Sequence, residues 1–348
     1  MNIFPTQKEE SQPSSSLFVA TQDMLREEFY RCIETLHPAL RADLLLALQS
    51  PGKLLSQTAY LPALPAGSWA LLVFYSGLCV NTQVSQTTLY RRLYRTGVAV
   101  ECFICALDLL DDVEDGDQTP IIEAIGIPRA LNVATALLAL AQQALLSLED
   151  TSPLLKAQLS LVLQNALLQA TEGQHRDLVA ESQPASDFTQ QDCIDIAAQK
   201  AGSLMSLACS IGVLCVEVPE EVYQKFAQIG HLVGIAAQLD NDSHDLYYLI
   251  HTGNKKDHAQ PYPTTVKTDL IRGKKTLPLV LAHQQRDDLS EVLSPADVAT
   301  RQQLFSEAIY TSWGVSLLYQ ERALECLRQI EKEYAISPEL RALLRMSN

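Results

Sequence analysis

Two clusters of acidic residues, about 130 positions apart, are the residues of this sequence best suited to chemistry. The first is Asp111-Asp112-Val113-Glu114-Asp115, and the second is Asn241-Asp242-Ser243-His244-Asp245. Each cluster has acids spaced three or four residues apart, which places them on one face of a helix. Two such faces repel each other unless a cation lies between them. Because oxygen ligands suit Mg²⁺, and Mg²⁺ also binds substrate phosphates, the pair predicts a diphosphate–Mg²⁺ site. A solvated helix end is the alternative for each cluster alone.

Other polar residues interrupt apolar stretches and extend the predicted site. Lys200 stands in an apolar segment and favours a bound anion, although a lysine that extends to solvent along apolar surface is an equal alternative. Gly173 falls within a predicted helix, where it costs ~1 kcal/mol relative to alanine. That cost indicates close approach of another element or of a ligand. Lys274 and Lys275, with Arg272 before them, lie at a predicted helix start, a favourable place for phosphate.

The elements that must position these residues are predicted to be helices. The chain has 348 residues, 47% of them hydrophobic, and helical periodicity runs from Thr21 to Arg345 with almost no strand-like alternation. We therefore expect an all-α fold: a disordered leader at 1–18, then one helical-bundle domain at 19–348 around a central cavity. The acids fall on helices predicted at 84–115 and 220–249, and other helices are predicted at 21–48, 190–216, 295–310 and 313–334.

Composition excludes several functions. The net charge of −15 and the pI near 4.9 argue against binding to nucleic acid or to an anionic membrane surface. We expect no transmembrane segment, because the apolar runs are broken before the ~18 residues that a spanning helix needs. The eight cysteines do not form the two pairs, at the right spacing, that a zinc site needs. They lie mostly in apolar stretches, which favours reduced thiols. With no export signal, a cytoplasmic location is expected.

The order of these segments resembles the class I isoprenoid synthases, the all-helical trans-isoprenyl diphosphate synthase and terpene synthase family. Asp111 to Asp115 is similar to the family's first DDxxD motif, and Asn241-Asp242-x-x-Asp245 to its second. The segments between and after them resemble GQxxD, KTxxL and GKxTLP motifs: Gly173-Gln174-x-x-Asp177, Lys200 with Leu204, and Gly273-Lys274-Lys275-Thr276-Leu277-Pro278. The resemblance spans roughly residues 85–290. Within the family, the chain is most similar to ComQ-like isoprenyl transferases, which modify tryptophan in bacterial quorum-sensing peptides, and to bacterial terpene synthases of the same fold.

The resemblance implies a cofactor, a substrate and a role for each site residue. It implies an allylic isoprenyl diphosphate as substrate and three Mg²⁺ ions as cofactor. It also implies a homodimer. The implied metal ligands are Asp111, Asp112, Asp115, Asn241, Asp242 and Asp245, of which the five aspartates are also the expected catalytic residues. The implied substrate-binding residues are Gln174, Asp177, Lys200, Gln238, Arg272, Lys274 and Lys275.

Departures from the family pattern bear on the second substrate. Chain-elongating enzymes of the family hold isopentenyl diphosphate with a GGKRxRP motif, where this chain has Leu64-Pro65-Ala66-Gly67-Ser68-Trp69-Ala70-Leu71, without a cation. Arg91, Arg92 and Arg95 are cations that could reach in from another helix. We therefore expect a terpene synthase. The alternative is a prenyltransferase, either with isopentenyl diphosphate or with a peptide as in the ComQ-like group. A third class is a non-catalytic helical scaffold.

Overall fold

The structure, a computed structural model, describes residues 16–57, 65–80, 83–184, 187–252, 273–285 and 298–346. Every regular element in these ranges is helical: α1 (Ser16–Ile33), α2 (Pro38–Leu48), α3 (Ser68–Leu78), α4 (Gln86–Asp115), α5 (Pro120–Ile125), α6 (Ile127–Leu146), α7 (Pro153–Glu181), α8 (Gln190–Ala197), a π-helical segment (Ala198–Gly202), α9 (Ser203–Leu214), α10 (Glu220–Thr252), α11 (Leu277–Gln285), α12 (Val298–Ile330) and α13 (Pro338–Leu343). The all-α prediction is confirmed. Arg272 and residues 1–15 of the predicted leader lie outside the described residues.

Helix boundaries differ from the prediction where local chemistry overrides periodicity. The helix predicted at 21–48 is two helices, because Pro38 occupies the first turn of α2 and the Nδ1 atom of His37 accepts the Ala39 N–H at 3.3 Å as a cap. The two helices predicted at 295–310 and 313–334 form the single helix α12. A Cβ atom added at Gly314 meets nothing within 4 Å, so this glycine interrupts neither the helix nor a packing contact.

The site is positioned by four helices that pack around the π-helical segment and its continuation α9. Both α7 and α10 contact the π-helical segment, while α3 and α4 pack against α9. The approach of α10 is very close at Gly234, where an added Cβ would lie 2.3 Å from the Ala201 carbonyl oxygen. This backbone contact fixes α10, which carries the second cluster, relative to the segment that carries Lys200. The buried side chains of α3, α4, α6 and α9 form one large apolar core beneath the site.

Two helices within the described ranges, Ile127–Leu146 and Gln190–Leu214, are long and apolar enough to cross a membrane by length and composition alone. Buried positions make up 44% and 61% of their apolar windows, respectively. Core helices of a bundle pass the same test, so these two helices are weak indications of a membrane span. The predicted cytoplasmic location stays a prediction.

Candidate active site

The first acidic cluster occupies the last turn of α4, where acids are electrostatically disfavoured. Asp111, Asp112 and Asp115 are half-buried, and Gly116 caps the helix with a φ of 72°. Burial raises the pKa of Asp112 to about 7, with Asp108 and Asp111 contributing further. Burial also raises the pKa of Asp111, although Lys200 opposes the shift. The helix dipole places negative partial charge at the same end, so this cluster requires cations.

Lys200 supplies one of these cations. Its Nζ donates to the Asp177 carboxylate at 2.9 Å and lies 3.6 Å from Asp111 Oδ1. Desolvation lowers its pKa, but Asp111 and Asp177 outweigh desolvation and raise the net value, so the ammonium stays charged. The side chain is 19% exposed. Lys200 is therefore a buried member of the acidic site, which decides against the alternative of a lysine extended to solvent.

The backbone around Lys200 explains why the neighbouring helix needs Gly173. A Cβ atom on residue 173 would lie 2.8 Å from Gln199 Cβ and 2.9 Å from the Lys200 backbone nitrogen. Lys200 itself belongs to the π-helical segment, and such single-turn widenings of a helix occur frequently at functional sites. The predicted close approach at Gly173 is confirmed, and its partner is the helix that carries Lys200.

Lys274 supplies the second cation, whereas Lys275 does not. Lys274 Nζ donates to Asp115 Oδ2 at 2.6 Å, and both side chains are 10% exposed or less. Lys275 Nζ instead donates to the Gly273 carbonyl at 2.5 Å. The Lys275 carbonyl accepts a hydrogen bond from the Cys193 thiol at 3.1 Å, which ties this loop to α8. Of the two adjacent lysines, the structure brings only Lys274 to the acids.

The second acidic cluster faces the same region through α10. Gln238 Nε2 donates to Asp242 Oδ1 at 2.8 Å, and Asp242 and Asp245 are half-buried. Burial raises the pKa of the Cys193 thiol, and Asp242, Asp192 and Asp177 add to that effect. Asp242 and Asp177 therefore lie close enough to act on the same thiol. Asn241 is exposed, which separates it from the half-buried aspartates of its cluster.

Oxygen ligands and one unsatisfied amide give the site its capacity for a metal–diphosphate ligand. Both polar atoms of the Gln174 amide are buried and have no hydrogen-bond partner among the described residues, so a ligand can supply them. Among the described residues, no three acidic, histidine or cysteine side chains are already grouped as a metal site. Asp111, Asp115 and Asp177 contact Lys200 or Lys274 instead. Carboxylate oxygens with substrate phosphates are the ligand set that Mg²⁺ prefers, so the residues fit this ion.

Sequence reasoning missed Lys53 and Glu101, two buried charged residues that act on Asp108, one turn before Asp111. Lys53, in the loop that follows α2, donates to the Asp108 carboxylate. Glu101 Oε2 accepts the Ala70 N–H at 3.1 Å at the start of α3, and the Leu54 backbone also donates to Glu101. The available signals were a glutamate inside the apolar run from Val98 to Ala106 and a lysine after Pro51-Gly52. Neither signal identifies its partner.

Comparison with known proteins gives a family match and several relatives. A model of the polyprenyl synthetase family matches residues 69–309. The chain is 29% identical over 190 residues to "Tryptophan prenyltransferase ComQ" of Bacillus spizizenii, covering 53% of this chain and 62% of that protein. It is 30% identical over 191 residues to "Geranylgeranyl diphosphate synthase" of Mycobacterium tuberculosis, covering 53% and 51%. The matched part thus spans less than two thirds of either relative.

A solved structure shares the fold over nearly the whole chain. It is the "Geranylgeranyl Pyrophosphate Synthetase from archaeon Geoglobus acetivorans", with a TM-score of 0.69 and 20% sequence identity. The alignment covers 95% of this chain and 96% of that one. At this identity the likeness establishes the arrangement of helices.

Proposed function

The chain belongs to the polyprenyl synthetase family, and from that premise we propose that it is a Mg²⁺-dependent prenyltransferase that ionises an allylic isoprenyl diphosphate. One observation carries the proposal. Lys200 and Lys274 meet Asp111, Asp115 and Asp177 in one partly buried site, which offers both signs of charge that a metal–diphosphate ligand requires.

The side chains divide the work of ionisation by charge. Lys200 and Lys274 donate to diphosphate oxygens, and the buried Gln174 amide adds a neutral hydrogen bond. Asp111, Asp112 and Asp115 on α4, with Asp242 and Asp245 on α10, would hold Mg²⁺, which supplies charge neutralisation to the departing diphosphate. Because Lys200 and Lys274 are fixed and mostly buried, they stabilise the charge of the leaving group without reorganising water around it. Exposed Asn241 is the weakest of the proposed ligands.

The relatives favour transfer of the prenyl group to a second molecule. The sequence led us to expect a terpene synthase, in which the substrate's own double bond captures the cation. The two relatives compared above are named for prenyl transfer to tryptophan and for diphosphate synthesis. We therefore prefer the prenyltransferase alternative.

An assay of diphosphate release tests this function. The protein is incubated with Mg²⁺ and allylic diphosphates of several lengths, alone, with isopentenyl diphosphate, or with N-acetyltryptophanamide. We expect release that stops when the metal is chelated and resumes when Mg²⁺ is restored. Product analysis by mass spectrometry then identifies the acceptor. Absence of metal-dependent release with every substrate would reject the proposal.

The outer face of α6 and α7 supports the further proposal of a homodimer. Residues 130–148 and 157–171 contain no charged side chain, although the whole chain carries a net charge of −15. Leu154, Leu161 and Leu168 recur every seven residues, so they share one face of α7, and they are 70%, 60% and 69% exposed. Leu131 and Leu146 are exposed on α6, which packs against α7. Contiguous apolar surface of this kind is typical of a protein interface.

A further inference from the structure

The helix that carries Lys200 also makes the contact that holds the backbone beside Lys274. α8 runs without a break into the π-helical segment, and Cys193 on α8 precedes Lys200 by seven residues, which is about 10 Å of helix. The Cys193 thiol donates to the Lys275 carbonyl at 3.1 Å, across 82 positions of sequence. Because this carbonyl belongs to the residue directly after Lys274, the contact restrains the turn that carries the second cation of the site.

α8 is anchored well enough to hold that turn in place. Arg176 of α7 donates to Gln199 Oε1 at 2.8 Å and lies 3.7 Å from Asp192 Oδ1, so one side chain spans the π-helical segment and α8. A capping box formed by Thr189 and Asp192 fixes the first turn of α8. The thiol of Cys193 therefore projects from a helix whose own position is set by its neighbours.

The Cys193 thiol lies within an apolar contact between α8 and α11. Cys193 is 5% exposed and belongs to the same buried cluster as Leu277 and Val280 of α11. Gln190 Nε2 also donates to Gln284 Oε1 at 2.9 Å, which joins the two helices at their exposed edges. Apolar packing is non-directional, so it holds α11 against α8 without fixing the turn that precedes α11. The hydrogen bond from the thiol supplies that direction.

The thiol keeps the proton that it donates. Burial raises the pKa of Cys193, and Asp242, Asp192 and Asp177 add to the effect. A thiol is a weak donor, so its bond should order the turn without contributing much to the stability of the whole protein. Lys275 Nζ, which donates to the Gly273 carbonyl at 2.5 Å, closes the same turn from within.

We propose that Cys193 is a positioning residue for diphosphate binding: by holding the backbone beside Lys274, its thiol sets the separation of the Lys200 and Lys274 ammonium groups. The two ammonium groups are neighbours, because they contact Asp111 and Asp115, which lie one turn apart on α4. The inference rests on the proposed function, in which both lysines bind diphosphate. Cations that are ordered before the ligand arrives bind it more tightly than cations that must first be ordered.

The test compares variants of the full chain. Cys193→Ala removes the donor, whereas Cys193→Ser restores a donor of similar size. Cys215→Ala is the matched control, because the Cys215 thiol is also buried and donates to the Gly212 carbonyl at 3.2 Å, at the far end of α9. Calorimetry in Mg²⁺ measures the affinity for inorganic diphosphate, amide hydrogen exchange measures the order of residues 273–280, and the melting temperature verifies folding.

We expect Cys193→Ala to weaken diphosphate binding about fivefold, which is the size of effect that one hydrogen bond has on an equilibrium constant. Amide exchange in residues 273–280 should become faster in the same variant. Cys193→Ser should restore both the affinity and the slow exchange, and Cys215→Ala should match the wild type in both. In a Lys274→Met background, which retains Lys200, Cys193→Ala should cause no further loss of affinity, because it acts through Lys274.

Three results would overturn the inference. The first is a folded Cys193→Ala variant that keeps either the wild-type affinity or the wild-type exchange rate. The second is a Cys193→Ser variant as impaired as Cys193→Ala, because the donor would then not be the cause. The third is a loss of affinity from Cys193→Ala that is equally large in the Lys274→Met background. If the wild type binds no diphosphate in Mg²⁺, the proposed function itself fails, and this inference fails with it.

Discussion

Replacing Gly173 with alanine tests whether α7 must contact the backbone that carries Lys200. The added Cβ would lie 2.8 Å from Gln199 Cβ and 2.9 Å from both the backbone nitrogen and Cγ of Lys200. Carbon atoms pack favourably at about 3.5–4.0 Å, so all three contacts are too short. Because one of them is to a backbone atom, a change of side-chain rotamer cannot relieve it. The π-helical segment must move away from α7.

The expected cost is a balance of two effects. Overpacking a tight contact costs about 1–3 kcal/mol, while alanine in place of glycine inside a helix gains about 1 kcal/mol. We therefore expect a net destabilisation of up to about 2 kcal/mol. Movement of Lys200 should weaken binding separately, because a hydrogen bond to a charged group contributes about 1.5–3 kcal/mol. A loss of that size corresponds to at least a tenfold weaker affinity for diphosphate.

Urea denaturation and calorimetry of inorganic diphosphate binding in Mg²⁺ measure the two effects. Gly314→Ala is the matched control, because this exposed helical glycine has no atom within 4 Å of an added Cβ. It should gain up to about 1 kcal/mol from helix propensity and leave diphosphate binding unchanged. If Gly173→Ala equals Gly314→Ala in both stability and affinity, the proposed contact does not position Lys200.

Three further outcomes follow from the charges and surfaces described. Asp112→Asn should lower diphosphate release at least tenfold and leave the melting temperature of the metal-free protein unchanged or higher, because it removes one of several crowded carboxylates; release at the wild-type rate would contradict its role. Burial raises the pKa of Glu101 from 4.5 to about 7. Between these two values the carboxyl group of the folded protein holds a proton that the unfolded chain has lost. The free energy of unfolding should therefore fall by up to about 3 kcal/mol between pH 4.5 and 8. Glu101→Gln should flatten the dependence of the unfolding free energy on pH, measured by urea titrations. An unchanged dependence would argue against a raised pKa of Glu101. Leu161→Glu should convert a dimer to monomers in sedimentation experiments. The control Leu318→Glu, at a 61% exposed position on α12, should leave the dimer intact. A wild-type protein that is already monomeric would reject the interface.

Helical periodicity and the spacing of acids were sufficient to predict the architecture and the location of the first cluster. The prediction for 84–115 ends at the same residue as α4, because Asp115 is followed by Gly116 in the left-handed conformation that ends a helix. The glycine at 173 also predicted a close approach, since an isolated helical glycine implies a neighbour. What the sequence could not supply was the identity of that neighbour.

Pairings between distant residues were beyond sequence reasoning. The ion pair of Lys53 with Asp108 joins positions 55 residues apart and depends on how a loop folds over Gly67. Lys274 and Lys275 are adjacent and chemically alike, yet Lys274 pairs with Asp115 of the first cluster, whereas Lys275 donates to a carbonyl of its own loop. The function of Arg91, Arg92 and Arg95 as structural cations likewise depended on acids far away in the sequence: Glu149 and Glu217 in turns, and Glu28 on α1.

The pairing of acids with lysines explains how one site can be both stable alone and receptive to a ligand. Asp111, Asp115 and Asp177 form a costly cluster of partly buried carboxylates, and Lys200 and Lys274 offset that cost in the free protein. If metal and diphosphate bind together as proposed, the carboxylates would exchange ammonium for Mg²⁺, and the ammonium groups would exchange carboxylate for phosphate. Every charge then keeps a partner of opposite sign. Either ligand alone would leave one set of charges unpaired, so we expect Mg²⁺ and diphosphate to strengthen each other's binding.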